Sequence, residues 1–129
     1  MTLKESATAE IVCLVDDDQA VLKSLARLLA SDGLQVRGFN DPERFLEYIQ
    51  TRPVPLVVLD IWMGPLSGLE VQAKLAKLWP QTRVIIMTGR NDPAVEQTAR
   101  RFGAADFFIK PFDDQMFLDA VRRALSANS

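Results

Sequence analysis

Ile11-Val12-Cys13-Leu14-Val15-Asp16-Asp17-Asp18 is the stretch that decides the fold: five apolar residues with no polar alternation, followed at once by three acids. A strand apolar on both faces is covered by helices on both sides, the mark of a parallel sheet. The same construction returns three times. Asp60 ends Leu56-Val57-Val58-Leu59, Thr88 ends Val84-Ile85-Ile86-Met87, and Lys110 ends Phe107-Phe108-Ile109. In an open α/β sheet the carboxyl ends of the strands border one crevice. Four polar groups far apart in sequence are therefore expected to share one site.

Between these strands the apolar residues follow helical spacing. Val21, Leu22, Leu25, Leu28 and Leu29 mark one face of a helix over about 19–32, stopped by Asp32-Gly33. Asp41-Pro42 and Asp92-Pro93 each read as an N-cap followed by proline at the first helical position, where a missing N–H does no harm. Helices are expected over about 42–52, 67–78, 93–103 and 113–126, and strands over about 11–16, 34–39, 55–60, 83–88 and 105–109. Leu34, Val36 and Phe39 alternate with Gln35 and Arg37, so that strand reads as an edge. Five βα units with right-handed crossovers predict an α/β fold. It is a doubly wound five-stranded parallel sheet of order 2-1-3-4-5, a flavodoxin-like three-layer sandwich. Its switch point lies between the first and third strands, where Asp16 and Asp17 face Asp60. One domain is expected over 11–126, with tails at 1–10 and 127–129. Phe102, Phe108, Phe112 and Phe117 read as core, where the last two helices meet the fifth strand.

With 129 residues, 48% hydrophobic and 25% charged, the chain is long enough to bury one core unaided. Its formal net charge of -2 supplies no field that would draw it to nucleic acid or to an anionic membrane. Arg90, Arg100, Arg101, Arg122 and Arg123 accordingly read as solvated helix surface, and no direct nucleic-acid contact is expected. No apolar run approaches the ~18 residues of a membrane span, and Met1-Thr2-Leu3-Lys4-Glu5-Ser6 does not open a signal peptide. The single cysteine, Cys13, sits inside the first strand and reads as a buried small hydrophobe in a reducing, cytoplasmic compartment. Histidine is absent. That removes Ser/His/Asp triads, Cys/His dyads and histidine zinc sites, leaving carboxylates, hydroxyls, lysine and a hard, oxygen-ligated cation.

Two ionised carboxylates held ~5 Å apart repel by about 3 kcal/mol at an effective dielectric of 20, so Asp16, Asp17 and Asp60 together call for a cation or a proton. Mg²⁺ fits best, because it takes oxygen ligands from one or two carboxylates and a phosphoryl group while keeping several waters. Lys110 adds a point charge and Thr88 a hydroxyl, both able to hold oxygens of a transferring phosphoryl group. Asp60 stands alone at its strand end, opposite the acid pair, and is the candidate nucleophile for an aspartyl phosphate. Asp18 reads as an N-cap.

Val15-Asp16-Asp17-Asp18, Leu59-Asp60-Ile61-Trp62-Met63-Gly64-Pro65-Leu66-Ser67-Gly68, Met87-Thr88-Gly89 and Gly103-Ala104-Ala105-Asp106-Phe107-Phe108-Ile109-Lys110-Pro111-Phe112 stand in this order along the chain. In them the sequence resembles the receiver domain of bacterial two-component response regulators, from about Ile11 to Leu125. The resemblance implies that Asp60 accepts phosphate from the phosphohistidine of a sensor histidine kinase, the domain catalysing its own phosphotransfer without turning over an outside substrate. It implies Asp17 as a direct Mg²⁺ ligand, Asp16 as a mainly water-mediated one and the Trp62 carbonyl as a third. Lys110 would be the phosphate partner, and Thr88 and Phe107 the switch pair, with Phe107 turning inward as Thr88 moves. The Lys110-Pro111 bond would be cis. The signal would leave through the face made by the fourth helix, fifth strand and fifth helix, to a second copy or to an output partner acting in transcription. One departure stands out: the family usually carries proline directly after the Met63 position, where this chain has Gly64 and then Pro65. A degenerate receiver that only docks proteins stays open. An aspartyl phosphatase would want a second acid where Trp62 stands, and a flavin carrier a Gly/Ser/Thr-rich loop in place of the three aspartates.

Overall fold

The structure is a computed structural model and describes residues 11–61 and 67–127. The apolar runs form β1 (Ile11–Val15), β2 (Gln35–Phe39), β3 (Leu56–Asp60), β4 (Arg83–Thr88) and β5 (Asp106–Ile109). The helices between and after them are α1 (Gln19–Ser31), α2 (Pro42–Ile49), α3 (Gly68–Leu78), α4 (Pro93–Arg101) and α5 (Asp114–Ala127). All strand pairs are parallel and the order is β2-β1-β3-β4-β5, the α/β doubly wound arrangement expected from the sequence.

The central strands look uniform in sequence, yet each divides its side chains between two cores. Val12 and Leu14 of β1 join Leu22, Leu25 and Leu29 of α1 and Phe117 and Val121 of α5. Cys13 and Val15 join Phe45 and Ile49 of α2, Val71 and Leu75 of α3, and Ala99 of α4. This is the period-two alternation of a strand, hidden because both faces are apolar. β2 is mostly exposed, as an edge strand must be, and β5 forms the other edge, with Ile109 at the surface. Cys13 is fully buried, which pushes its thiol up to about 12 and leaves it unreactive.

Local chemistry sets the helix ends. Asp18 accepts hydrogen bonds from the Ala20 and Val21 amides at 2.9 and 3.4 Å and so caps α1. Asp41 and Asp92 cap α2 and α4 ahead of their prolines. Ser67 and Glu70 form a reciprocal capping box at α3. Gly33 and Gly103 take φ of +84° and +98° and close α1 and α4, with Leu34 N–H donating to Leu29 O and Ala104 N–H to Ala99 O. For that reason α4 stops at Arg101 rather than 103. α2 stops at Ile49 rather than 52, because a residue before proline, here Arg52 before Pro53, is held out of the helical region.

The aromatic expectation needs one correction. Phe117 is fully buried, stacked on Phe112 and edge-to-face with Phe108, but Phe102 is 49% exposed, since it is the residue that turns the chain out of α4. The arginines lie at the surface. Arg100 pairs with Glu96 at 2.9 Å, Arg122 with Asp32 at 2.5 Å and Arg123 with Asp106 at 3.4 Å. The Lys110–Pro111 peptide is cis. No helix among the described residues is long and apolar enough to cross a membrane.

Candidate functional site

β1 and β3 are neighbours in register, Val15 beside Leu59, so the acids that follow them emerge side by side at the switch point. Backbone bonds carry the ladders one step past the strands: Asp16 N–H to Phe39 O, Ile61 N–H to Met87 O and Lys110 N–H to Thr88 O. These hold the strand-end residues at fixed positions. α3 begins against the same corner. Gly68 N–H donates to Ile61 O at 2.9 Å, and a Cβ at Gly68 would lie 2.8 Å from Ile61 Cα, closer than real Cβ atoms come. Only glycine lets the helix pack that close to the backbone of Asp60 and Ile61.

The fold brings Asp16, Asp17 and Asp60 together, with one carboxylate oxygen from each within 4.8 Å of the others. Asp16 and Asp60 are buried and Asp17 is exposed. Asp16 Oδ1 accepts from the Asp18 amide at 2.9 Å and its Oδ2 receives the Lys110 ammonium at 3.0 Å. The same ammonium lies 3.6 Å from Asp60 Oδ1, near enough for Coulomb attraction and too far for a hydrogen bond. That oxygen is buried with no hydrogen-bond partner among the described residues. Burial, reinforced by the neighbouring charge of Asp16, pushes Asp60 up to about 6 against the pull of Lys110. Burial works against the Lys110 ammonium, but its bond to Asp16 and the charge of Asp60 win and raise it above the ordinary lysine value.

Thr88 is buried at the end of β4, its hydroxyl oxygen accepting the Arg90 amide at 3.0 Å. Among the described residues the hydroxyl proton has no acceptor. The Phe107 side chain is already buried among the core residues of the α2–α4 side. The expected inward turn therefore starts from a ring that is already inside. Asp18 serves α1 as its cap. Trp62, Gly64 and Pro65, with Met63 and Leu66, lie outside the described residues.

The donor set suits a hard divalent cation. Of the three carboxylates only Asp16 and Asp60 meet the Lys110 ammonium, and among the described residues the buried Asp60 Oδ1 lacks the hydrogen bond that burial demands of an acceptor. All available ligands are oxygens, as Mg²⁺ prefers. Two contributions to this corner were not drawn from the sequence. The Ser67-x-x-Glu70 capping box was visible as a pattern. The demand for glycine at 68 arises only when α3 meets β3.

The model of the response regulator receiver domain matches residues 12–122, and the chain belongs to that family. Response regulator protein TmoT of Ectopseudomonas mendocina is 40% identical over 115 residues, covering 89% of this chain and 52% of TmoT. Transcriptional regulatory protein FixJ of Azorhizobium caulinodans is 40% identical over 122 residues, covering 92% of this chain and 56% of FixJ. The chain thus spans about half the length of the curated relatives it matches. Among solved structures, a CheY-like receiver domain from Methanospirillum hungatei superposes with a TM-score of 0.89 at 25% identity, covering 94% of this chain and 97% of the other. The beryllofluoride-activated NtrC4 receiver domain dimer gives 0.88 at 27% identity, covering 92% and 98%. The chain is a receiver domain of two-component signalling.

Proposed function

We propose that Asp60 is the phosphoacceptor of this receiver and that a sensor histidine kinase is the donor. A carboxylate oxygen of Asp60 attacks phosphorus, the P–N bond of the phosphohistidine breaks, and its electron pair returns to the imidazole nitrogen. Lys110, shared between Asp16 and Asp60, is placed to follow the negative charge onto the phosphoryl oxygens. Asp17 and Asp60, with Asp16 through water and the Trp62 carbonyl, would hold Mg²⁺. When bound, that ion neutralises the carboxylates and the charge that develops on the phosphoryl oxygens. One observation carries the reading: a buried carboxylate oxygen without a hydrogen bond, 3.6 Å from a lysine ammonium and within a trio of acids.

The consequence of phosphorylation is a changed α4–β5–α5 face, presented to a second copy or to an output partner. Relatives are named as transcriptional regulators, and transcription is the proposed output. The receiver, which begins at about residue 11 and ends with α5, makes no direct nucleic-acid contact, and a cytoplasmic setting supplies its kinase.

Acetyl phosphate, a small acyl phosphate donor, tests the assignment by intact mass. Wild type with Mg²⁺ is expected to gain one phosphoryl group, and Asp60→Asn or wild type in EDTA none. Labelling that persists in Asp60→Asn overturns the acceptor, and labelling in EDTA overturns the role of the ion. A wild type that never labels would make the domain a docking module.

A further inference from the structure

We propose that Gln72 is a pivot for α4: a buried side chain on α3 that fixes the C-terminal end of that helix and leaves its N-terminal end to move. Gln72 is 1% exposed, and its Nε2 donates to Ala99 O on α4 at 3.1 Å. The same carbonyl accepts the Ala104 amide at 3.0 Å, the bond that closes α4 before β5. One oxygen therefore joins α3, the end of α4 and the approach to β5.

α4 has little else to hold it. Ala99 is its one fully buried residue, a single methyl group. Val95 only packs against the edge of the core, and the remaining side chains are half or fully exposed. Its first turn rests on Asp92 and Pro93, a few residues after Thr88, so a displacement of the Thr88 loop reaches the N-terminal end directly. A weakly packed helix tied at one end by a buried hydrogen bond turns about that end.

The amide is not there for stability. Gln72 Oε1 is buried without a partner among the described residues, an unfavourable arrangement that an apolar side chain would avoid. Nor is Gln72 part of the acidic site. What the glutamine supplies and a leucine would not is a directional tie to one carbonyl.

Amide hydrogen exchange on the unphosphorylated protein tests the tie independently of any phosphorylation. In wild type the Gln72 side-chain amide protons should be protected from exchange. In Gln72→Leu and Gln72→Met, the Gly103 and Ala104 amides should exchange about tenfold faster, while those of Ile85–Met87 keep their rates. Folded variants with wild-type rates at 103 and 104 overturn the proposal. An unprotected Gln72 amide overturns it even if neither variant folds.

The pivot itself rests on the switch proposed above and is read with beryllofluoride as the phosphoryl mimic. Residues 89–96 should change their exchange while the Gln72 amide keeps its protection. Loss of that protection would mean that α4 slides as a whole, which rejects the pivot. No response anywhere in the domain would reject the switch and leave the exchange result for the tie standing.

Discussion

The clearest consequence at the scale of single residues is that Asp60 is kept at a cost. Its carboxyl is raised from 3.8 to about 6, first by burial and then by Asp16. A carboxylate raised on folding destabilises the native state wherever it is ionised. The sign is therefore that the penalty is absent below about pH 4, grows through about 6 and is complete above it. At roughly 1.4 kcal/mol per pH unit, the upper limit is about 3 kcal/mol. In EDTA, Asp60→Asn is thus expected to melt higher than wild type by roughly 5 °C at pH 8, and the gap should close toward pH 4. A gap independent of pH would show that charge is not its cause. The two acids beside it separate by role. Asp17→Asn removes an exposed carboxylate of the trio and should weaken Mg²⁺ binding by about tenfold or more in a calorimetric titration. Asp18→Asn should change little, because asparagine caps a helix as well as aspartate does. Equal losses would mean that the ligand is misassigned.

Individual elements show where sequence stops being informative. Strands announced themselves by apolar runs, and two helices by Asp-Pro, because these signals are local and need no partner. The three acids and Lys110 were legible as neighbours because parallel topology brings every strand's carboxyl end to the same edge. Phe102 misled because apolar character says nothing of which side of a turn the ring leaves on. Gln72 gave no signal at all: an amide amid the helical spacing of α3 looks solvent-facing until α4 is laid against it. Gly68 is the instructive middle case. Its spacing from Asp60 was visible in the motif, but its necessity comes from the meeting of α3 and β3. Gly68→Ala places a Cβ against Ile61 Cα and the Asp60 backbone. It should cost about 1–3 kcal/mol of stability by denaturant unfolding and slow acetyl phosphate labelling, since the helix cannot recede without dragging the acceptor corner with it. Unchanged unfolding and labelling would show that the corner is looser than the distances imply.

For the whole molecule, the proposed phosphorylation raises the question of how a phosphoryl group at one end of the sheet would change a face at its edge. Lys110 N–H is bonded to Thr88 O, so β4 and β5 reach the acidic corner as one unit, and α4 leaves β4 only a short loop later. The Thr88 hydroxyl already accepts from the Arg90 amide, and with no acceptor for its proton among the described residues it can donate to a phosphoryl oxygen. One hydroxyl can thereby couple the site to the loop leading into α4. Because Phe107 starts packed inside, the change should be led by Thr88 and residues 89–92, with the ring following them. Driving a two-state equilibrium from 1:99 to 99:1 takes about 5.5 kcal/mol of differential interaction. Hydrogen bonds to charged groups are worth about 1.5–3 kcal/mol each, so the Thr88 bond alone is insufficient and must act together with Lys110. Thr88→Ala should therefore accept beryllofluoride but lose about tenfold or more of the ligand-induced shift, since one such bond corresponds to at least that factor. The face concerned is lined by Glu96, Asp106, Phe108, Ile109, Met116 and Arg123, with Ile109 and Met116 exposed. Sedimentation of wild type with and without beryllofluoride should show association through it, and Thr88→Ala should stay nearer the unliganded state. If Thr88→Ala responds like wild type, the coupling runs through the Lys110–β5 connection instead.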